Sequence, residues 1–169
     1  MNSFNNNRSE NEGDFVRIDA DCLLVAKIDD VLVDCDVVVT LRRQNERERQ
    51  DLVYHIYSGY LNSGVLFFKN NNRANFFVDL WIDQLINCIF YLSDQEALNR
   101  LVFRATDMTR YDTVFNYQGI RIKILRTDDY NFYYFDEESR NAKILHFKRD
   151  KRDFYDYYVK KTESVGGVY

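Results

Sequence analysis

Three apolar runs separated by polar segments mark the first half of the chain. Phe15–Ile18, Val37–Leu41 and Leu61–Phe68 are short and rich in β-branched or aromatic residues. Runs of this length and composition predict buried strands. The first run ends at Asp19 and Asp21. The pattern therefore predicts a sheet that carries two acidic side chains at the C-terminal end of its first strand.

Helical periodicity follows the third run. Apolar residues recur at intervals of three and four across Arg73–Leu92, which predicts a helix with one broad apolar face. Ser93 stands three residues before Glu96, and this spacing fits a capping box that starts a second helix. Upstream, Ile28–Val33 predicts a short helical turn. The charged segment Arg42–Asp51 is compatible with an exposed helix or with a loop.

The last third of the chain predicts short strands. Ile120–Leu125 alternates apolar and basic residues, so one face of this strand is expected to be buried. Phe132–Phe135 and Ala142–Phe147 are the other strand candidates. The order of strand, helix, strand, helix pair and small mixed region indicates an α/β domain.

Length and charge restrict the organisation of the chain and its partners. A chain of 169 residues is long enough for one domain with a real core, but too short for two ordinary ones. The polar residues 1–14 predict a disordered leader, residues 15–158 the folded domain, and residues 159–169 a loose tail. A net charge of -4 argues against nucleic acid as the main partner, because nucleic-acid-binding surfaces are basic.

Cysteine use and hydropathy indicate a cytoplasmic protein. Cys22, Cys35 and Cys88 are widely spaced and form no Cys-x-x-Cys pair, which predicts buried, reduced thiols. The N-terminus is polar and rich in Asn, unlike a signal peptide. The apolar runs are far shorter than the roughly 20 residues of a membrane-spanning helix. We therefore expect no transmembrane segment.

The Asp-x-Asp motif is the first candidate for chemistry. Asp19-Ala20-Asp21 places two carboxylates where a strand gives way to a loop, so that both can converge on one hard divalent cation. Such a cation can neutralise charge on a leaving diphosphate. Taken alone the motif is weak, because Asp-x-Asp also occurs at Asp34-Cys35-Asp36 and a solvated turn is the simpler interpretation.

Five segments in order resemble the GT-A-type glycosyltransferases, which use nucleotide sugars and a metal ion. They correspond to a strand ending in Asp-x-Asp, the next strand, an Asn-Ser-Gly-Val strand, an Asp-Gln-x-x-Leu-Asn helix start and a late strand with a His: Phe15–Leu23, Asp36–Thr40, Leu61–Phe68, Ser93–Asn99 and Ala142–Lys148. The resemblance covers about residues 15–152, and several motifs in order are more specific than any one. It implies an α/β fold, the C-terminal part of a Rossmann-like nucleotide-diphospho-sugar transferase.

The resemblance implies a metal and diphosphate site. Asp19, Asp21 and His146 would be the metal ligands. The imidazole nitrogen favours Mn²⁺ over Mg²⁺ as the cofactor. Lys148, or alternatively Lys151, would contact the diphosphate. The competing interpretation of His146 is a core histidine on the last strand with its hydrogen bonds satisfied.

The resemblance also implies a sugar pocket and a catalytic pair. Asn62, Ser63 and Gly64 would bind substrate, and the missing side chain of Gly64 would let donor or acceptor approach. Asp94 would bind hydroxyls of the donor sugar, and Gln95 would lie beside the anomeric carbon. In the competing interpretation the first three residues form an ordinary turn, and Asp94 and Gln95 are first-turn residues that the helix dipole favours.

The implied activity is that of an enzyme, a glycosyltransferase. It would transfer a sugar from a nucleoside diphosphate sugar to a hydroxyl of a glycan, lipid or protein. Two departures qualify the match. The family has a nucleotide-binding half before Asp-x-Asp, whereas 18 residues precede Asp19 here, and the Gly that often follows the family's His is missing until Gly166.

These departures leave other functions open. The first is a truncated, non-catalytic remnant that binds a sugar, a metal or a partner protein. Association with a chain that supplies the missing half is a related possibility. In either case the strands that this half normally covers would be exposed. The last alternative is a small acidic interaction domain without a site.

Overall fold

A computed structural model describes residues 13–47, 60–86, 94–103, 110–135, 141–148 and Tyr155. Within these ranges the elements are, in chain order, β1 (Phe15–Ile18), β2 (Cys22–Leu24), β3 (Val37–Leu41), α1 (Gln44–Arg47), β4 (Leu61–Phe68), α2 (Asn72–Ile86), α3 (Asp94–Phe103), β5 (Thr113–Tyr117), β6 (Ile120–Arg126), α4 (Thr127–Tyr130) and β7 (Ile144–His146). The predicted α/β class is confirmed. None of the helices in the described part of the chain is long and apolar enough to cross a membrane.

The strands that the structure describes form two sheets. Five of them make the larger sheet in the order β1-β4-β3-β6-β5, in which β3 and β6 are parallel and the other neighbours are antiparallel. Strands β2 and β7 form a separate antiparallel pair. The central strands β3 and β4 are buried along their whole length, as their uninterrupted apolar runs predict.

Both faces of the larger sheet are covered, which explains those uninterrupted runs. On one face Val37, Val39 and Leu41 pack with residues of the helices α2 and α3, including Phe77 and Leu98. The intervening residues of the same strands point to the opposite face, because successive strand residues alternate in direction. There the cover comes from the turns after β2 and from the second sheet. The buried residues that pack together on this face are Val31, Cys35, Val38, Val65, Phe67, Leu125 and Ile144.

The first strand differs from its prediction. Among the described strands β1 pairs with β4 alone and lies at the edge of the sheet, so the prediction of a buried strand is wrong for Phe15–Ile18. Phe15, Val16 and Ile18 are 46%, 36% and 41% exposed. An edge strand has one neighbour instead of two, and the Phe15 ring stacks on Phe68 of that neighbour at 5.0 Å. A run of apolar residues does not by itself distinguish an edge strand from a central one.

Other boundaries also shift. Ile28–Val33 forms hydrogen-bonded turns, in which the Val31 N–H donates to the Ile28 carbonyl at 3.3 Å, in agreement with the predicted short helical turn. Phe132–Phe135 is not a strand, because Phe132 makes only a single bridge to Leu145. Within Arg42–Asp51 the short helix α1 forms, and residues 48–51 lie outside the described part. Ser93 and the predicted end of the first long helix at residues 87–92 also lie outside it, as do most of the leader and the tail.

The helix α3 is fixed to the sheet by one buried amide. The Asn99 side chain accepts a hydrogen bond from the Leu61 N–H at 2.8 Å and donates one to the Leu61 carbonyl at 3.2 Å. It also donates to the carbonyl of Gln95 at 2.8 Å. Asn99 is fully buried, so water is not available to replace these bonds. The amide therefore satisfies both backbone groups at the start of β4.

Replacing Asn99 by Ala should destabilise the fold strongly. The change leaves the N–H and C=O of Leu61 buried and unpaired, at a cost of about 1–3 kcal/mol for each group. Urea unfolding followed by circular dichroism measures the loss. Asn45→Ala on the exposed surface of α1 is the matched control and should change stability little. Equal stabilities of the two variants would contradict this account of how α3 is held.

Candidate metal centre

The connection between the two sheets carries both acidic residues of the first motif. After β1, the Asp19 N–H donates to the Gly64 carbonyl of β4 at 2.9 Å. The chain then turns, and the Phe147 N–H donates to the carbonyl of Asp21 at 2.8 Å. Both carboxylates are thus attached by their own backbone to β4 on one side and to the end of β7 on the other.

The structure brings the three predicted metal ligands together. His146 Nε2 lies 3.2 Å from Asp21 Oδ1 and 3.7 Å from Asp19 Oδ2. The histidine is buried, whereas the two carboxylates are about one-third exposed. The result is a cluster in which the imidazole nitrogen is buried and the two carboxylates are partly exposed to solvent.

A chain of hydrogen bonds determines which nitrogen of His146 carries the proton. The Thr40 hydroxyl donates to the Asn62 carbonyl at 3.2 Å, so its oxygen must accept the bond from the Asn131 amide nitrogen at 2.9 Å. The Asn131 amide oxygen is then the atom that lies 2.8 Å from His146 Nδ1. Since that oxygen can only accept, Nδ1 carries the hydrogen.

The electrostatic environment keeps the His146 ring neutral. Burial lowers its pKa to about 4, and the positive charge of Lys148 acts in the same direction against the attraction of Asp21. A neutral ring protonated at Nδ1 has a free lone pair at Nε2. That lone pair faces the oxygens of Asp21 and Asp19. Lone pairs facing one another repel, and a cation between them relieves the repulsion.

The Asp19 carboxyl experiences opposing influences. Burial raises its pKa, whereas the Arg17 guanidinium lowers it, and the charges of Asp94 and Asp21 raise it further. The carboxylates of Asp19 and Asp21, together with the free imidazole nitrogen of His146, have the donor atoms that Mn²⁺ accepts. The donor set therefore fits the cation that the family resemblance implies.

Gly64 has a different role from the predicted one. A Cβ atom at this position would lie 2.3 Å from His146 Cε1 and 2.7 Å from Nδ1, distances that real Cβ atoms do not reach. The space above Gly64 is thus filled by the histidine ring, not left free for substrate. The absence of a side chain lets the second sheet pack closely onto β4, and so places His146 at the site.

Asn62 and Ser63 lie beneath the site. Both are buried, and the Asn62 side-chain oxygen accepts a bond from the Gly64 N–H at 2.8 Å. Asn62 Nδ2 is buried and has no hydrogen-bond partner among the described residues. The Ser63 hydroxyl donates to Asp94 Oδ1 at 3.2 Å. Asn62 and Ser63, which were predicted to line the sugar pocket, are therefore buried next to the site, and Ser63 connects it to Asp94 at the start of α3.

Asp94 is joined to the metal ligands through a residue that sequence reasoning missed. Arg17 Nη2 lies 2.6 Å from Asp94 Oδ2 and 3.4 Å from Asp19 Oδ1. The Trp81 indole N–H donates to the Asp94 carbonyl at 2.8 Å. Gln95 adjoins this group, and its backbone N–H donates to Asp94 Oδ1 at 2.7 Å. A single basic residue within the apolar strand Phe15–Ile18 was the available sequence signal for Arg17.

Lys148 lies close to the site, under an aromatic ring. Its ammonium group sits 3.6 Å from the centre of the Tyr133 ring, a cation–π contact. Burial, reinforced by the positive charge of Arg42, lowers the pKa of Lys148 to about 8, while Glu46, Asp19 and Asp21 oppose the shift. Lys148 therefore lies within electrostatic reach of both carboxylates, and Arg42 lies within electrostatic reach of Lys148. Lys151 lies outside the described residues.

Cys22 is a further donor that sequence reasoning interpreted only as a buried thiol. Its sulfur and ligand atoms of Asp21 and His146 all lie within 4.8 Å of one another. The thiol is half-buried and donates weakly to the Gly64 carbonyl, with a sulfur–oxygen distance of 3.7 Å. Burial, together with the negative charge of Asp19, raises its pKa to about 12.

A cleft opens beside the carboxylates. Its volume is about 500 Å³, within the range of small-molecule sites, and it is lined by Ala20, Asp21, Phe147 and Tyr155. The rings of Phe147 and Tyr155 meet edge to face at 5.3 Å. The cleft thus places apolar and aromatic surface next to a candidate metal ligand.

Comparisons of this chain with protein-family models, with curated proteins and with solved structures gave no match in any of the three. The assignment of a function therefore depends on the geometry of the site and on the sequence motifs.

Gly64→Ala should displace His146 and disrupt the site. The new methyl group overlaps the ring, and overpacking of this kind costs about 1–3 kcal/mol, occasionally more. Thermal unfolding measures the loss of stability, and the ring resonances of His146 report its displacement. Gly13→Ala is the control, because its Cβ would meet no atom within 4 Å. A Gly64→Ala variant with wild-type stability and unchanged ring resonances would contradict the close contact.

His146 should remain neutral in the metal-free chain until the pH approaches about 4. The unfolded chain takes up this proton near the ordinary value of 6.5, so the contribution of His146 to stability is complete above pH 6.5. It is lost as the pH falls towards 4, at about 1.4 kcal/mol per pH unit. Nitrogen-15 NMR of a His55→Gln variant, in which His146 is the sole histidine, measures both tautomer and titration. A midpoint at or above 6.5, or a proton on Nε2, would refute the assignment.

Proposed function

We propose that this chain is a metal-dependent glycosyltransferase that transfers a sugar from a nucleoside diphosphate sugar to a hydroxyl acceptor. The proposed metal ligands are Asp19, Asp21 and His146, with Mn²⁺ preferred over Mg²⁺. One observation carries the proposal, namely the free lone pair of His146 Nε2, which faces two carboxylates. A histidine that served only to donate to these carboxylates would carry its proton on Nε2, whereas the hydrogen-bond chain through Asn131 places the proton on Nδ1.

The mixed donor set supports the choice of cation. Two carboxylates and one neutral imidazole suit Mn²⁺, whereas Mg²⁺ prefers oxygen ligands alone. A bound cation would act as a Lewis acid on the leaving nucleoside diphosphate. The partly exposed carboxylates leave the outward side of the site open to solvent, where phosphate oxygens could complete the coordination.

Basic side chains can take up the remaining charge of the diphosphate. Lys148 lies within electrostatic reach of both Asp19 and Asp21, and Arg42 adds a second positive charge in the same region. The Tyr133 ring holds the ammonium group in place and limits its contact with water. A charge that is already desolvated and positioned stabilises developing negative charge without reorganisation. Lys148 is therefore the proposed diphosphate contact.

Asp94 is the proposed contact to hydroxyls of the donor sugar. Its carboxylate is held by Arg17 and Ser63, and the same guanidinium reaches Asp19. Arg17 thus links Asp94, the proposed sugar contact, to Asp19, a proposed metal ligand. These bonds hold the Asp94 carboxylate in one orientation. A side chain that positions a reacting group must be held in this way. Gln95, beside it, is the proposed neighbour of the anomeric carbon.

The cleft next to Asp21 is a candidate position for substrate. Its volume of about 500 Å³ suits a sugar or a part of a nucleotide. The rings of Phe147 and Tyr155 offer apolar surface on which a ring of the substrate could pack. This surface supports binding of either donor or acceptor at that side.

A second candidate is a non-catalytic chain that binds metal or sugar and associates with a partner. The exposed edge strand β1 favours this function. Phe15, Val16 and Ile18 present apolar surface, and one edge of the strand has no neighbour among the described residues. Exposed edges of this kind readily pair with a further strand. The two candidates differ in catalysis and not in metal binding.

Replacing Asp21 by Asn should abolish Mn²⁺-dependent binding of nucleoside diphosphate without unfolding the chain. The amide keeps the shape of the side chain but removes the charge that holds the cation. Calorimetric titration with uridine or guanosine diphosphate, with and without Mn²⁺, measures the effect. Asp34→Asn in the other Asp-x-Asp motif is the matched control. Asp34 is exposed, and its φ of 59° is one that Asn tolerates.

The outcomes separate the candidates. Metal-dependent binding that is lost in Asp21→Asn and kept in Asp34→Asn supports the site, and sugar release from a donor then distinguishes the enzyme from the non-catalytic chain. Equal binding by both variants would refute the metal site.

A further inference from the structure

We propose that Asp21, Cys22 and His146 form a second cation site, which overlaps the first and takes a thiophilic divalent cation such as Zn²⁺. The inference rests on the proposed function in one respect only, in that both sites use Asp21 and His146. The observation behind it is the convergence of a carboxylate oxygen, a sulfur and an imidazole nitrogen within 4.8 Å.

Strand register explains why Cys22 reaches the site. Cys22 and His146 are directly opposite each other in the β2–β7 pair, and residues opposite each other in an antiparallel pair point to the same face. Both side chains accordingly meet Gly64, His146 through its ring and Cys22 through its sulfur. Asp21 is the residue immediately before Cys22, so the third donor follows from the chain itself.

Cys35 is a useful comparison, because its thiol is also hydrogen-bonded to a carbonyl but is not part of a possible metal-binding group among the described residues. Cys35 makes the same kind of weak bond, to the Val31 carbonyl at 3.7 Å. Cys35 is completely buried, whereas Cys22 is half-buried and lies near Asp21 and His146. Among the described residues the possible metal-binding group includes Cys22 and not Cys35.

The donor set determines which cation is preferred. One thiolate, one imidazole and one carboxylate are ligands that Zn²⁺ binds in tetrahedral sites, with a fourth position left for water or substrate. Two carboxylates and one imidazole, as in the Asp19-containing site, are harder and suit Mn²⁺. When the sulfur–metal bond forms, the thiol gives up its proton to solvent, so that the bound form is the thiolate.

Sharing of ligands makes the two sites mutually exclusive. His146 Nε2 has one lone pair and can bind only one cation at a time. Occupation by Zn²⁺ would therefore displace Mn²⁺ and place a cation with different ligands where the diphosphate should bind. The expected consequence is a glycosyltransferase that zinc inhibits through Cys22.

Titration with Cd²⁺ tests this site directly, because a cadmium–thiolate bond produces a charge-transfer band in the ultraviolet. The intact, reduced, metal-free chain should give this band, and so should Cys35→Ser. Cys22→Ser should lose it. The affinity for Zn²⁺, measured by competition, should fall at least about tenfold in Cys22→Ser, since loss of an outer-shell partner alone costs about 10–100-fold.

The variant Asp19→Asn separates this site from the proposed catalytic one. It should keep the cadmium band and bind Mn²⁺ more weakly. A band that persists in Cys22→Ser, or that is absent from the intact chain, would overturn the second site and leave the proposed function standing. A band that depends on Cys22 in a chain that does not bind Mn²⁺ would support the second site and refute the proposed function.

Discussion

The close packing of the His146 ring against Gly64 is the constraint on which the site depends. It brings the β2–β7 pair onto the buried strand β4 at a distance that no side chain at position 64 would allow. The Gly64 carbonyl also accepts the Asp19 N–H and the Cys22 thiol. One residue without a side chain thus determines where the ring, the first carboxylate and the sulfur lie relative to one another.

A second layer of interactions turns this packing into a site with defined chemistry. The bonds that run from the Asn62 carbonyl through Thr40 and Asn131 to His146 leave one arrangement of hydrogens. That arrangement exposes a lone pair of a neutral ring to two carboxylates, which is unfavourable in the absence of a cation or a proton. Sites that bind metals commonly hold the other nitrogen of a ligating histidine in this way. The cost of the arrangement is a physical reason to expect a ligand there.

Some of this could be predicted from the sequence, and the reasons differ between elements. Local sequence patterns predicted strands β3 and β4 and the helices α2 and α3. Burial of a strand on both faces leaves an uninterrupted apolar run, and burial of a helix on one face leaves a helical period. Strand β1 is also a short run rich in apolar residues, yet it lies at the edge of the described sheet. Position in a sheet depends on pairing partners, which local patterns do not reveal.

The convergence of Asp19, Asp21 and His146 was predicted from the order of motifs and not from any one of them. Arg17, Asn131 and Cys22 were missed, because their importance arises from partners distant in the chain. Cys22 acquires its role from the register that places it opposite His146, and Asn131 acquires its role from the bond to the ring. Residue type indicates which chemistry is possible, whereas register determines which residues meet.

The most direct test of the central claim is the position of manganese in a crystal of the intact chain, located by its anomalous scattering. The account predicts a peak in contact with the Asp19 and Asp21 carboxylates and with His146 Nε2, while Nδ1 remains bonded to Asn131. A crystal saturated with Mn²⁺ in which this position carries no anomalous peak, and His146 Nε2 instead bonds directly to Asp21, would contradict it.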